Sequence, residues 1–356
     1  MRNLLDITDL SVKELGELIS TAEDIISNPT KYNNACKGKK IATLFFEPST
    51  RTRLSFEAAM IELGGQVLGF EAGSSSSASK GESIKDTVRV VGNYADIISM
   101  RHPLEGAPFV AAECSPVPII NAGDGGHAHP TQTLADLLTI HREIGRLDNL
   151  TIGFCGDLKY GRTVHSLINA MLRYKNVNFV LISPKELALP DYMTEKLKDY
   201  EGKVKVTDNL EEFMSELDIL YMTRIQRERF DDIVTYERLK DSYILTPEKL
   251  INAKSTMRIL HPLPRVNEIS VKVDEDDRAA YFRQTFNGKI MRMALILFLL
   301  SKLNEPDTVR NDKHIKGYKC VNTKCITQVE QELESLAYDN NGKFSCIYCD
   351  SEIIKL

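Results

Sequence analysis

The chain has 356 residues and a formal net charge of −5, with 42% hydrophobic and 27% charged residues. At about 100–200 residues per domain, this length predicts two domains and leaves room for a small third. The composition excludes a disordered chain and a small disulfide scaffold, and the acidic balance provides no overall basic field for nucleic acid.

No segment predicts export or a membrane span. The longest charge-free apolar run near the end covers residues 293–300, whereas a spanning helix needs about 20 apolar residues. Arg2, Asp6 and Asp9 interrupt the N-terminus, where a signal peptide would carry an apolar core. We therefore expect a cytoplasmic protein without a membrane partner, in which thiols stay reduced.

Helical and strand patterns alternate through the first part of the chain. Leu15, Leu18 and Ile19 recur at helical spacing and predict a first helix over residues 3–27. Strands are then predicted at 39–46, 66–70, 96–100 and 117–121, and helices at 50–63, 84–94 and 131–144. Such alternation is typical of a parallel sheet covered by helices.

The same pattern repeats in the second part. Strands are predicted at 150–155, 178–182, 217–222 and 257–260, and helices at 162–174 and 290–303. We therefore predict an α/β protein with two doubly wound parallel-sheet domains, over residues 1–147 and 148–303. The polar residues 304–313 predict a linker.

Four of the seven cysteines lie in the tail, as Cys320-x4-Cys325 and, 20 residues later, Cys346-x2-Cys349. Four thiolates at this spacing suit a tetrahedral structural zinc ion. Two alternatives are four free core cysteines and a zinc ribbon that binds nucleic acid. The second is disfavoured because acidic residues offset the lysines of the tail. We predict a small zinc-binding β domain over residues 314–356.

The segment Ser49-Thr50-Arg51-Thr52-Arg53 lies between a predicted strand and a predicted helix. Ser49 and Thr50 are good N-cap residues, so one interpretation is a capped helix with two solvated arginines. The other is an anion site, because a phosphate requires free helix N–H groups, hydroxyl donors and a guanidinium. No GxxxxGK[ST] loop or dinucleotide fingerprint is present.

Arginine or histidine follows several other predicted strands: Arg101, His129, Arg162, Arg224 and Arg265. Each arginine alone is typical of a solvated strand end. Together they favour a substrate that carries several negative charges, because ligands of parallel sheets bind beyond the carboxyl ends of strands. A metal held by His127, His129 and Asp124 is a weaker alternative, since Pro130 predicts a rigid turn instead.

A further cation, Lys80, lies in a loop of Ser, Ala and Gly that also contains Ser76. Taken alone, the pattern predicts a flexible surface loop, and the alternative is a mobile cationic clamp. No Ser–His–Asp, Cys–His or GxSxG pattern favours a covalent mechanism.

In combination and in this order, these motifs resemble those of the carbamoyltransferases, most closely the aspartate type. The resemblance covers about residues 1–303 and rests on Ser49-Thr50-Arg51-Thr52, His129-Pro130-Thr131-Gln132 and His261-Pro262-Leu263-Pro264-Arg265. The ornithine type has a His-Cys-Leu-Pro signature instead and lacks a lysine at the position of Lys80. The cysteine tail is similar to the zinc region of the separate regulatory chain found in some aspartate carbamoyltransferases, but the nucleotide-binding domain of that chain is missing.

The resemblance implies transfer of the carbamoyl group of carbamoyl phosphate to L-aspartate, an early step of pyrimidine synthesis, without a metal or organic cofactor in the active site. It implies that Arg51, Thr52, Arg101 and His129 are catalytic. The carbamoyl phosphate site then comprises Ser49, Thr50, Arg51, Thr52, Arg101, His129, Gln132, Pro262 and Leu263. The aspartate site comprises Lys80, Arg162, Arg224 and Gln226.

The resemblance also implies at least a homotrimer, in which Ser76 and Lys80 reach the active site of a neighbouring subunit. Cys320, Cys325, Cys346 and Cys349 are the implied zinc ligands. Two alternatives stay open: a carbamoyltransferase for another amino acid, and a binding or scaffolding homologue without activity. The second is weakened because every expected site residue is present.

Overall fold

The structure is a computed structural model that describes residues 1–71, 81–198, 200–225, 232–305, 314–330, 332–340 and 342–356. The chain divides into two compact units. Unit 1 comprises Met1–Thr131 and Lys289–Leu356, and unit 2 comprises Gln132–Gly288. None of the described helices is long and apolar enough to cross a membrane.

Unit 1 contains a four-stranded parallel sheet in the order β2-β1-β3-β4. Its strands are β1 (Lys40–Phe45), β2 (Gln66–Glu71), β3 (Ile97–His102) and β4 (Ile119–Asp124). Its helices are α1 (Val12–Ser27), α2 (Thr50–Glu62), α3 (Ile84–Val91) and α4 (Ala107–Cys114). β1, β3 and β4 are buried at almost every position, which is typical of parallel strands covered on both faces.

The first helix is shorter than predicted. Ser11 caps α1 through the N–H of Glu14, so the helix begins at Val12. The residues before α1 form two other structures. Leu4 forms a parallel bridge with Ile120 of β4, and Asp6 caps a short 3-10 helix at Ile7–Asp9. The prediction of one helix from residue 3 is therefore wrong, because the first apolar residues extend the sheet.

Unit 2 contains a five-stranded parallel sheet in the order β7-β6-β5-β8-β9. Its strands are β5 (Thr151–Cys155), β6 (Asn178–Ile182), β7 (Val204–Thr207), β8 (Ile219–Met222) and β9 (Arg258–Leu260). The helices α6 (Arg162–Met171), α7 (Asp191–Lys198) and α8 (Ile233–Leu239) lie between them in sequence. Helix α5 (Pro130–Ile144) and helix α9 (Tyr281–Ser301) each contribute to both units. The predicted pair of doubly wound parallel sheets is confirmed.

The tail forms two small antiparallel pairs: β10 (Tyr318–Cys320) with β13 (Ile353–Lys355), and β11 (Ala337–Asn340) with β12 (Lys343–Cys346). It shares a hydrophobic core with the rest of unit 1. Ile326, Ile347 and Tyr348 pack in the same cluster as Val88 and Val110. The predicted small β region is confirmed, and the shared core fixes it against unit 1.

Candidate functional site

In unit 1 the chain passes from β1 to β2 on one side and returns to β3 on the other, so the gap between β1 and β3 is the topological switch point. Ligands of open parallel sheets bind outside the strands at such points. Ser49 and Thr50 follow β1, and Arg101 lies near the end of β3. The N–H of Phe46 donates to the carbonyl of Arg101 at 2.8 Å, which joins the two strand exits.

Helix α2 begins at Thr50, within the segment that the sequence predicts as either a capped helix or an anion site. In its described first turn, no capping bond from the Ser49 side chain reaches the helical N–H groups. The Ser49 hydroxyl is instead 3.1 Å from that of Thr52. Arg51 is exposed on the same turn. This arrangement favours the anion-site interpretation over the simple capped helix.

Two arginines of this unit, Arg53 and Arg101, have different surroundings. The Arg53 Nε is 2.7 Å from Glu57, and its Nη1 is 3.4 Å from Glu71, so Arg53 is held by two carboxylates. Arg101 is 12% exposed, and its Nη2 lies 2.8 Å from the Glu47 carboxylate. Glu47 was not among the predicted site residues, although it immediately precedes the Pro-Ser-Thr-Arg motif.

His127 and His129 also play different parts. The His127 Nδ1 is 2.9 Å from Asp124, and its Nε2 is 3.0 Å from Asp350 of the tail. Burial alone would lower the pKa of His127, but the two carboxylates raise it well above its usual value. His129 is buried, with its Nδ1 3.4 Å from the Thr131 hydroxyl. His127 therefore joins the end of β4 to the tail.

In unit 2 the switch point lies between β5 and β8, because the chain leaves β5 toward β6 and leaves β8 toward β9. Arg162 begins α6 after β5, and Arg224 follows β8 by two residues. The Thr223 hydroxyl accepts the N–H of Asp157 at 2.9 Å and donates to the carbonyl of Cys155 at 3.0 Å. The structure thus joins the two loops that carry the predicted aspartate-binding arginines.

His261 shapes the bend that follows β9. Its Nδ1 accepts the N–H of Leu263 at 2.7 Å, so the proton is on Nε2, which donates to Glu268 at 2.8 Å. The Leu263–Pro264 bond is cis, and Leu263 has a positive φ of 56°. Pro262 and Leu263 are half-buried. Arg265 forms an ion pair with Asp274.

The four tail cysteines fit a metal ion. They are buried, and their Sγ atoms all lie within 4.8 Å of one another. The Cys320–Cys349 and Cys325–Cys346 sulfur distances are 3.6 and 3.9 Å. Thiolates at about 2.3 Å from a central zinc ion are about 3.8 Å apart. Among the described residues, no other group of His, Cys, Asp and Glu converges in this way, the alternative at His127 and His129 included.

The cysteine tail docks on the segment that follows Arg101. The Glu105 N–H donates to the carbonyl of Lys324, and the Ile326 N–H donates to the carbonyl of Glu105, both at 2.9 Å. The Glu105 carboxylate accepts the Asn322 amide at 2.6 Å. Local sequence patterns do not encode this contact. It pairs Glu105, four residues after Arg101, with the loop that contains Cys325.

Gly106 allows the same close approach. Its φ is +85°, and an added Cβ would lie 2.5 Å from the Cβ of Tyr348. The Tyr348 ring meets the Phe109 ring edge-on, with centroids 5.5 Å apart. A side chain at position 106 would therefore strain the backbone and push the tail away.

Three predicted site residues, Ser76, Lys80 and Gln226, lie outside the described residues. Gln132 lies on α5 in unit 2, where its side-chain amide donates to Asp136 at 2.8 Å. The other predicted site residues are on the loops and helix starts described above.

Two family models match the chain. "Aspartate/ornithine carbamoyltransferase, carbamoyl-P binding domain" covers residues 2–142, and "Aspartate/ornithine carbamoyltransferase, Asp/Orn binding domain" covers residues 148–299. The cysteine tail lies outside both matches.

Individual relatives agree with the models. The aspartate carbamoyltransferase catalytic subunit of Lachnoclostridium phytofermentans is 60% identical over 303 residues, which are 85% of this chain and 98% of the relative. That of Clostridium novyi is 60% identical over 299 residues, 84% of this chain and 98% of the relative.

Solved structures extend the agreement to the fold. The catalytic subunit of M. jannaschii aspartate transcarbamoylase matches with a TM-score of 0.80 and 47% identity, covering 86% of this chain and 100% of that one. Aspartate transcarbamoylase from Trypanosoma cruzi in complex with N-(phosphonacetyl)-L-aspartic acid matches with a TM-score of 0.78 and 39% identity, covering 83% and 95%. This chain belongs to the aspartate/ornithine carbamoyltransferase family, among its aspartate carbamoyltransferase catalytic subunits.

Proposed function

We propose that this chain transfers the carbamoyl group of carbamoyl phosphate to the amino group of L-aspartate, giving N-carbamoyl-L-aspartate and phosphate in pyrimidine biosynthesis. One observation carries the proposal. Each unit has arginine side chains at the switch point of its own parallel sheet: Arg51 and Arg101 in unit 1, and Arg162 and Arg224 in unit 2. Two anionic substrates, one bound mainly by each unit, account for the presence of arginines at both switch points.

In this proposal, unit 1 binds the phosphate. Ser49, Thr50 and Thr52 supply hydroxyls and first-turn N–H groups at the start of α2, and Arg51 and Arg101 supply guanidinium groups. Thr52, Arg101 and His129 donate to the carbonyl oxygen as it gains negative charge. Donors that are already in place stabilise such charge most strongly where water is excluded.

Unit 2 binds the amino acid and the carbamoyl NH2 group. Arg162, Arg224 and Gln226 hold the two carboxylates of aspartate, with Lys80 as a further cation. The NH2 group donates to Gln132 and to the backbone carbonyls of Pro262 and Leu263. The α-amine attacks the carbonyl carbon, the bond to the phosphate oxygen breaks, and the departing phosphate takes the amine proton. Positioning and electrostatics supply most of the rate.

For the tail, we propose a structural zinc ion held by Cys320, Cys325, Cys346 and Cys349. The S···S distances of 3.6 and 3.9 Å support it. When bound, the ion cross-links the tail and does no chemistry on substrate. Because the tail packs on Glu105 and Gly106, it stabilises unit 1, and it supplies a surface for assembly.

We further propose a cytoplasmic homotrimer in which Ser76 and Lys80 complete a neighbouring subunit's site. A cytoplasmic location agrees with the lack of a disulfide among the seven cysteines, all of which the structure describes. The functional division that we propose is residues 1–147 for carbamoyl phosphate, 148–303 for aspartate, 304–313 as linker and 314–356 for zinc.

The deciding experiment compares L-aspartate with L-ornithine at the same carbamoyl phosphate concentration and measures the carbamoylated product. We expect turnover with aspartate alone, because two guanidinium groups near the side chain favour a carboxylate and oppose an ammonium group. Turnover with ornithine would refute the second-substrate assignment. Binding of carbamoyl phosphate without turnover of either amino acid would favour a homologue that has lost activity.

A further inference from the structure

Asp136 lies at the centre of a buried polar cluster in unit 2. It is on α5 and has no exposed surface. Its Oδ1 accepts the side-chain amides of Gln132 at 2.8 Å and Gln284 at 2.6 Å. Its Oδ2 accepts the hydroxyl of Tyr221 at 3.0 Å. A buried carboxylate is costly unless donors surround it, so these side chains have defined orientations.

The bond to Asp136 decides which way the Gln132 amide faces. A carboxylate only accepts hydrogen bonds, so the NH2 end of Gln132 must point toward Asp136. The carbonyl oxygen of the same amide therefore points away from Asp136. Gln132 is half-buried and presents this oxygen as an acceptor.

Gln284 connects Asp136 to the loop after β9. Its Nε2 donates to Asp136, and its Oε1 accepts the backbone N–H of His261 at 3.0 Å. That N–H begins the segment that leads into Pro262 and Leu263. One carboxylate oxygen thus anchors both the Gln132 amide and the loop whose carbonyls lie at positions 262 and 263.

We propose that Asp136 is a positioning residue that selects a carbamoyl over an acetyl group, by holding the acceptors for the substrate's NH2. The inference rests on the proposed function. Carbamoyl phosphate and acetyl phosphate have nearly the same shape but present NH2 and CH3, respectively. Fixed acceptors gain two N–H donors from the first and stay unpaired against the second. Sites built this way discriminate by about 10⁴–10⁵.

The other oxygen of Asp136 offers a matched control. Tyr221 donates to Oδ2 and also hydrogen-bonds to Thr163, the neighbour of Arg162 on α6. Tyr221→Phe removes one hydrogen bond from the same buried carboxylate but leaves both glutamines on Oδ1. Its effect on acyl selectivity should therefore be small, although it costs stability.

The test measures kcat/KM for carbamoyl phosphate and for acetyl phosphate with saturating L-aspartate, using the full chain. Asp136→Leu keeps a side chain branched at Cγ but removes both acceptor oxygens, so the Gln132 amide loses the partner that fixes its direction. We expect the ratio of kcat/KM for carbamoyl phosphate to kcat/KM for acetyl phosphate to fall about tenfold or more. The fall should come from a lower kcat/KM for carbamoyl phosphate. Tyr221→Phe should change the ratio less than about twofold.

Gln284→Leu is the second variant and covers a failure of Asp136→Leu to fold. It leaves Asp136 and Gln132 in contact but frees the His261 N–H, so the ratio should fall in the same direction. If turnover of acetyl phosphate is undetectable, its competitive inhibition constant against carbamoyl phosphate is measured instead. A folded Asp136→Leu or Gln284→Leu protein with the wild-type ratio, or an equal fall in Tyr221→Phe, would overturn the inference. Absence of wild-type turnover with carbamoyl phosphate and aspartate would instead refute the proposed function.

Discussion

The carboxylate of Glu47 lies 2.8 Å from the guanidinium of Arg101, so a residue that follows β1 is paired with a residue near the end of β3 across the switch point of unit 1. The Glu47 carboxylate accepts from the Arg101 guanidinium in the same way as a phosphate oxygen does. In the proposed site, carbamoyl phosphate and Glu47 compete for the same Nη2 group of Arg101. The pair also holds the arginine in place before substrate arrives.

Replacement of this guanidinium should cost catalysis more than stability. We expect Arg101→Ala to lower kcat about 10²–10³-fold, which is typical for removal of one donor to a developing oxyanion. Arg89→Ala is the control, because Arg89 is an exposed arginine on α3 of the same unit. Steady-state kinetics at saturating substrates measures the effect. Near-normal kcat in a folded Arg101→Ala protein would remove Arg101 from the proposed mechanism.

The arginines of unit 2 should affect the second substrate instead. Arg162→Gln and Arg224→Gln each remove a charged donor to a carboxylate, so we expect KM for aspartate to rise about 10–100-fold. KM for carbamoyl phosphate should change little. Arg146→Gln is the control, because Arg146 donates to the exposed carbonyl of Asn149 in the same unit. Equal changes in both KM values would contradict separate halves for the two substrates.

His102 should give the enzyme an acid-sensitive fold. Burial lowers the pKa of His102 from 6.5 to about 4. The unfolded chain takes up a proton near pH 6.5 and the folded chain only near pH 4, so stability is intact above pH 6.5 and falls below it. At pH 5 the loss from this histidine is about 2 kcal/mol.

The measurement is urea unfolding at pH 7.5 and pH 5, for wild type and His102→Asn. The asparagine oxygen can still accept the N–H of Leu104, which His102 accepts at 3.0 Å. Each protein should lose free energy of unfolding between pH 7.5 and pH 5. The loss should be about 2 kcal/mol smaller for His102→Asn than for the wild type. Equal falls would show that His102 titrates normally in the folded chain.

Most strands of the two sheets were predictable, because parallel strands covered on both faces are largely apolar, as β1, β3 and β5 are. The strand β7 has no buried position and was not predicted. The N-terminal helix was predicted too long because the pairing of Leu4 with β4 is a long-range contact. Helical periodicity over residues 3–27 carries no information about that contact.

The site was partly predictable for a related reason. Thr50 and Arg162 follow strands, and Arg101 lies near the end of one. Strand order brings the ends of adjacent strands together. Glu47, the partner of Arg101, and Gln284, which joins Asp136 to the His261 N–H, were not predicted because these contacts arise only in the tertiary fold. The docking of Glu105 on the tail is likewise visible only in three dimensions.

Metal removal should release the tail. We expect about one zinc ion per chain, absent in Cys346→Ser, and a lower melting temperature with faster proteolysis beyond residue 313. Structural zinc contributes about 10–16 kcal/mol in small zinc peptides. Cys114→Ser is the control, since Cys114 is a partly exposed cysteine outside the cluster. Unchanged folding and assembly after chelation would refute the structural and assembly role.

Shared active sites can be tested with two inactive variants. Lys80→Ala and Arg101→Ala should each abolish most activity while the chain still folds. In the proposed trimer a site takes Arg101 from one subunit and Lys80 from its neighbour, so mixed trimers contain some sites with both native residues. Those sites should recover activity that neither parent shows. The comparison uses dissociated and reassembled mixtures against each parent treated alone, with light scattering to verify trimers. Mixed trimers as inactive as their parents would assign Lys80 to its own subunit's site.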